Sequence, residues 1–248
     1  MLRRLRLPML IFLLVFATPL LAATAWWAVV DRPNTWRAAD WGPSGLLPAA
    51  ATVPEATVHV LAARTGGWKG AVSVHSWLVW KRAGDARWTR HDVVGWGRAL
   101  RRDAYPPDGR WYSNDPWIVG TVSGAAAEAA IPKLEAAVAA YPHGGTGDYR
   151  LLPGPNSNTF VATMLREVPE LGVALPPIAV GKDWLGDGLR WTRDAGGDVH
   201  LSAWGVVGLS AGPRTGLEVQ FLGQTVGVDL RRPAVKLPGV GRVGVPSG

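Results

Sequence analysis

The sequence predicts an α+β protein: an N-terminal transmembrane helix followed by one compact domain of antiparallel strands with two main helices. Three observations carry that reading. An apolar run without charge extends from Leu7 to Val30. Across 248 residues, 31 glycines and 20 prolines break the chain into short pieces, as many short strands joined by turns require. Two stretches, near Ile131–Tyr141 and Phe160–Val168, repeat their apolar residues with the helical period.

The first segment, "MLRRLRLPMLIFLLVFATPLLAATAWWAVV", has the length of a membrane span. Arg3, Arg4 and Arg6 precede it, which keeps the N-terminus cytoplasmic and exports the rest. Residues 1–30 are therefore a membrane anchor or a signal segment. Ala23-Thr24-Ala25 offers a cleavage site, but Trp26 to Val30 continue the apolar run past it, which favours the anchor. The expected location is the inner (cytoplasmic) membrane, with the C-terminal domain on the periplasmic or extracytoplasmic side. The expected partner is the membrane itself, through this helix.

Residues 31–52 read as a proline-interrupted linker, with a short helix near Thr35–Asp40. Residues 53–248 read as a single α+β domain. Thr57–Ala63 alternates as a strand. Ala71–Arg82 and Arg87–Gly97 flank Ala83-Gly84-Asp85-Ala86 as a hairpin. Trp117–Val122 is a short strand. Ile131, Leu134, Val138 and Tyr141 form one helical face, which Pro132 either kinks or makes begin near Ile131. Phe160, Val161, Met164, Leu165 and Val168 form a second, ended by Pro169. Strands resume at Leu189–Arg193, Val199–Gly205, Leu217–Phe221 and Thr225–Asp229, and "GVVGLSAG" and "FLGQTVGVD" look like related hairpin elements.

Composition narrows the chemistry. The chain has no cysteine, which removes disulfides, thiolate metal sites and a thiol nucleophile. The net charge is +7, but the basic residues are scattered, against the clustered footprint of nucleic-acid binding. No two histidines have helical metal-ligand spacing, so no metal and no cofactor are expected. Asp183 and Asp187 read as a solvated loop.

Serine with histidine is the remaining constellation. Ser157 stands at a helix N-terminus, where free N–H groups and the dipole favour developing negative charge. Any of Asn156, Ser157 or Asn158 would also serve there as an N-cap. A turn centred on Gly84-Asp85 sets His75 opposite Val94 and places Asp92 diagonally on the same face, with His91 on the other. Ser157, His75 and Asp92 are thus candidate catalytic residues. Asn156, Asn158, Trp77 and Trp96 are candidate binding residues, the tryptophans as packing or as platforms for sugar rings.

The blocks "ARTGGWKGAVSVHSWLVWK", "RHDVVGWG", "PDGRWYSNDP", "YRLLPGPNSNTFVATMLREVPELG", "LPPIAVGKDW", "GLEVQFLG" and "RRPAVKLPGVGRVG" together resemble a bacterial family called domain of unknown function 3750, over about Leu46 to Gly244. The order of a histidine-bearing strand, a strand with a polar residue and a helix opening on a nucleophile also resembles circularly permuted papain-like hydrolases of the NlpC type. That resemblance implies action on cell-wall peptides or lipid-linked amides, with Ser157 standing where the pattern has cysteine. Two readings emerge. One is an exported, membrane-anchored, non-catalytic binding or accessory module of the cell envelope. The other is a serine hydrolase or acyltransferase acting on envelope peptides or lipids. A scaffold within a membrane complex is a third.

Overall fold

The computed structural model describes residues 7 and 9–245. Helix α1 (Met9–Val29) is apolar throughout and long enough to cross a bilayer, with one π-helical turn at Leu13–Ala17. Its last turn is fixed to the strand-rich domain. Trp27 is buried, its indole N–H donates to the Gly67 carbonyl at 2.8 Å, and its ring fills the space beside Gly70 where a Cβ would lie 2.2 Å away.

The first sheet has five strands in the order β4-β3-β2-β1-β5, all antiparallel. They are β1 (Thr57–Arg64), β2 (Val74–Lys81), β3 (Thr89–Val93), β4 (Leu100–Arg102) and β5 (Trp117–Ser123). β1 and β2 are covered on both faces, which is why they read as nearly continuous apolar runs. On one face, Val60, Leu78 and Trp80 pack against α2 (Ala125–Ala139) and α3 (Ser157–Glu167) through Leu134, Phe160 and Met164. Each fully buried side chain of this kind contributes about 1.5–3 kcal/mol. On the other face, Leu61, Trp77, Val79 and Trp111 form a second cluster beneath Trp41 and Leu47. The stretch read as a linker therefore closes this core: Trp41 lies against Tyr105, Trp111 and Tyr112, and Ser44 bonds Asp108. The short helix expected near Thr35–Asp40 is a turn closed by Ala38 N–H on the Thr35 carbonyl.

Helix α2 differs from expectation. It begins at Ala125 and runs through Pro132 without restarting. Proline inside a helix costs about 3 kcal/mol, and burial of Ala127, Ala130, Ile131 and Leu134 on both sides of it offsets that cost.

The second sheet is a seven-stranded meander in chain order, β12-β11-β10-β9-β8-β7-β6. It comprises β6 (Leu189–Arg193), β7 (Val199–Ala203), β8 (Val207–Gly212), β9 (Gly216–Phe221), β10 (Gln224–Asp229), β11 (Ala234–Leu237) and β12 (Gly241–Gly244). Of these, β8, β11 and β12 are not delimited as strands by the sequence pattern. The β9–β10 hairpin turns on Leu222 and Gly223, both with positive φ, the two-residue turn whose twist matches its strands. The sheet's polarity is inverted. His200, Ser202, Ser210, Glu218 and Gln220 point inward and are buried, while Leu201, Leu209, Leu217, Val219 and Phe221 point outward and are exposed. The inward side is held by charge. Glu218 is held by Lys182 and Lys236, and Gln220 donates to Glu218 at 3.0 Å. Burial opposes ionisation of Glu218, yet the two lysines outweigh it and hold its carboxyl below the usual range. Asp183, read as a solvated loop residue, is buried in the same layer, where burial raises its pKa.

Histidines in these layers make stability pH-dependent. His59 on β1, His91 on β3 and His200 on β7 are each lowered from 6.5 to about 4, chiefly by burial. Above pH 6.5 they are neutral in both folded and unfolded chains. As pH falls from 6.5 toward about 4, the unfolded chain takes up protons that the folded chain refuses, so stability is lost. The denaturant midpoint of the full chain in detergent is expected to fall across that window, and to fall less in His59→Gln. A midpoint that stays level would contradict it.

Candidate functional site

The polar mouth of α3 is built by asparagines. Asn156 is the N-cap: its Oδ1 accepts from the backbone N–H of Asn158 at 2.9 Å and of Thr159 at 3.0 Å. Its Nδ2 donates to the carbonyls of Leu151 and Val180. Asn158 reaches across to β2. Its Nδ2 donates to the Val74 carbonyl at 2.9 Å, and its Oδ1 accepts from the Ser76 hydroxyl at 2.8 Å. These bonds straddle His75, so the start of α3 is pinned to the strand at the histidine. Thr159 donates to the Gly181 carbonyl.

Ser157 is left over. It is the first residue of α3, it is buried, and its hydroxyl takes no part in the cap. That hydroxyl faces the phenol of Tyr149, whose pKa burial pushes up to about 12 and Ser157 partly draws back. The Tyr149 ring lies against Gly95, where a Cβ would stand 3.0 Å from it.

His75 has its own partners. The β2–β3 register pairs Leu78 with His91 and Trp80 with Thr89, where the ladder ends; carried three residues further, the same register would set His75 opposite Val94. Its Nε2 meets Asp92 Oδ2 at 3.2 Å, and its ring lies flat on Trp111, with centroids 3.6 Å apart and planes 4° from parallel. Asp92 is shared: Arg90 donates to the same oxygen at 2.8 Å while stacking over Trp77. Burial works against an ionised Asp92, but Arg90 and His75 together hold its pKa low. Burial lowers the pKa of His75; Asp92 opposes this and Arg90 adds to it, so the ring is neutral at pH 7. Facing an ionised Asp92, Nε2 carries the proton and Nδ1 presents the lone pair. Among the described residues no hydrogen bond joins Ser157 to His75.

The candidate binding residues separate. Trp77 is sealed in the core with its N–H on the Pro107 carbonyl. Asn156 and Asn158 are buried and committed to the bonds above. Trp96 alone of the four is exposed, stacked 6.0 Å from Trp111. Arg90 and Trp111 are not among the candidates drawn from the sequence. Arg90 lies two residues from Asp92 and so shares its strand face, which is a legible signal; nothing local marks Trp111 as the lid on His75.

Two further features are new. Asp194, Asp198 and His200 bring one ligand atom each within 4.8 Å of one another, but the Arg214 guanidinium already bonds both carboxylates. A groove of about 1030 Å³ lies between the β5 side of the first sheet and β10–β12. Arg64, Arg214, Arg231, Arg232, Arg242 and Lys236 line it, with Asp229 as its acid; Arg214 is paired with Asp194 and Lys236 with Glu218. Arg64 is held by carbonyls of Gly70, Ala71 and Gly239, and Arg231 and Arg232 are exposed, with no carboxylate partner among the described residues.

Residues 55–184, more than half of the chain, match the family model described as Protein of unknown function (DUF3750). The match covers the first sheet, both helices and the polar mouth of α3, and ends before β6, short of the reach to Gly244 expected from the sequence blocks. No curated protein and no solved structure matches the chain.

Replacing the cap tests which side chain holds α3. Asn156→Ala is expected to destabilise the chain by about 1–3 kcal/mol, from the lost cap and stranded carbonyls. Ser157→Ala is expected to cost less than about 1 kcal/mol. Denaturant midpoints measure both, and equal losses would return the capping role to Ser157.

Proposed function

We propose that this chain, which belongs to the DUF3750 family, is a non-catalytic binding module of the cell envelope, anchored in the membrane by α1, that holds an anionic ligand in the groove between its sheets. The observation that carries this reading is the groove's charge: five arginines and one lysine line it with a single carboxylate, in a cavity large enough for a small ligand, and Arg231 and Arg232 have no carboxylate partner among the described residues. Arginine forks match carboxylate and phosphate geometry. Arg64 also donates to the Gly239 carbonyl, and Gly239 touches Leu20 and Ala23 of α1, so the groove opens beside the anchor. Arg3, Arg4 and Arg6 ahead of the apolar run mark the chain for export, which puts the groove on the extracytoplasmic side of the inner membrane. The ligand chemistry is a carboxylate or phosphate group, from a cell-wall peptide or a lipid headgroup.

Titration of the detergent-solubilised full chain with a cell-wall stem peptide, and separately with phosphatidylglycerol, distinguishes the sources. Binding is expected to weaken with salt, and by roughly tenfold for each arginine removed in Arg231→Ala and Arg232→Ala. Binding of neither probe, or equal binding by the variants, would end this reading.

A second reading is favoured by one arrangement. Asn156 rather than Ser157 caps α3, and Asp92 fixes His75 through Nε2, which leaves the serine hydroxyl against the Tyr149 phenol and free of the cap, and an Nδ1 lone pair uncommitted. In a serine hydrolase or acyltransferase, Ser157 Oγ would add to an acyl carbonyl as its proton passes to His75 Nδ1. The amine or alcohol would then leave with that proton, and water or an acceptor would release the acyl group. Asp92 would orient the ring. Serine lacks the ready thiolate of the cysteine enzymes this pattern resembles. A fluorophosphonate probe on the full chain decides: labelling lost in both Ser157→Ala and His75→Ala establishes this chemistry, and an unlabelled chain removes it.

A further inference from the structure

Among the described residues, the outward side of the seven-stranded sheet is covered by α1 at Phe221 and is otherwise largely open. Trp191, Leu201, Leu209 and Val219 stand in register across β6, β7, β8 and β9, and all four are exposed. A second row in register joins Leu217, Val228, Val235 and Val243 across β9 to β12. Soluble proteins rarely leave a contiguous apolar face of this extent open to water. Its opposite side is polar and tied through Glu218 to Lys182 and Lys236, so the sheet cannot turn over to hide it.

The occupant is indicated by α1. Phe12 and Phe16 of that helix pack edge-on against Phe221, with ring centroids 5.9 and 6.1 Å away. Phe221 belongs to the apolar face. The helix touches the rest of the chain again at Gly239 through Leu20 and Ala23, and at Gly67 through Trp27. It therefore lies alongside the sheet over most of its length. Phe12 is about 25 Å along the helix from Val29 at 1.5 Å per residue, so contacts at both ends hold α1 alongside the domain. Any orientation that immerses α1 brings the apolar rows into contact with lipid. The face also has a membrane-interface border: exposed Trp191 and Trp204, with Arg193 ending the outward row of β6.

We infer that the outer face of the seven-stranded sheet is a membrane-seating surface, continuous with α1, which lays the domain down on the lipid. The sheet keeps open edges at β6 and β12, so it does not cross the hydrocarbon, and α1, docked along it, lies with it at the interface of one leaflet. The inference requires that α1 stay attached, and it does not depend on what the groove binds.

The absence of cysteine makes the test direct, because each introduced thiol is unique. Leu209→Cys and Val219→Cys in the full chain are labelled with an environment-sensitive fluorophore and reconstituted into vesicles of phosphatidylcholine and phosphatidylglycerol. Asp85→Cys, on the exposed β2–β3 turn, is the water-side control. Labels at 209 and 219 are expected to shift to the blue, to be quenched by acyl-chain spin labels and to escape aqueous iodide; the label at 85 does the reverse. Iodide quenching at 209 and 219 equal to that at 85 would overturn the inference. Protection from both quenchers would overturn it as well, by assigning the face to a protein partner. Either failure leaves the groove titration unaffected.

Discussion

A single buried carboxylate, Glu218, orients the second half of the molecule. Lys182 comes to it from the loop after α3, and Lys236 from β11, so one charge ties the helix layer to two strands of the meander. Two ammonium groups left without it would each lie in a layer nearly closed to water, and breaking such a buried pair from one side costs about 3–5 kcal/mol. The sheet is thereby committed to facing its polar residues inward. Its apolar residues are outward as a consequence, and the open arginine-lined groove lies between the two layers because charged contacts, not a continuous hydrophobic core, join them.

The first half is organised by neutral hydrogen bonds. Asn156 and Asn158 join the start of α3 to the chain before it, to Val180 after it, and to both sides of His75 on β2. Such fully satisfied buried networks fix one arrangement, because any rearrangement strands donors where water does not reach. On the opposite face of the sheet, Arg90, Asp92 and His75 form a compact polar chain roofed by Trp77 and Trp111. Whatever that chain does, Arg90 tempers it: a carboxylate shared with a guanidinium has less influence on an imidazole.

The legible parts of the sequence are those governed by local rules. The Gly84-Asp85 turn sets the hairpin register closely enough to place His75 and Asp92 on one face, and the start of α3 is marked by its cap residues. Which of Asn156, Ser157 and Asn158 does the capping is not legible, because their propensities are similar and tertiary partners decide. The start of α2 is hidden because Pro132 outweighs its neighbours in any local rule, whereas burial outweighs it in the fold. Alternation reveals strands such as Val199–Ala203 but not which side is inside. A period of two is the same read from either face, and only the lysines on Glu218, from distant positions in the chain, break the tie.

Trp27 has one more consequence, a mechanical one. With its ring wedged at Gly70 and its N–H bonded to Gly67, α1 ends inside the folded domain and not in a free stalk. The residues after it, which in a tethered protein would set the length of a leash, are spent covering Trp111 and the hairpin. The domain therefore has no radius to sweep. Its heading is fixed to that of α1, so wherever the helix lies the domain lies with it, at one height and one angle.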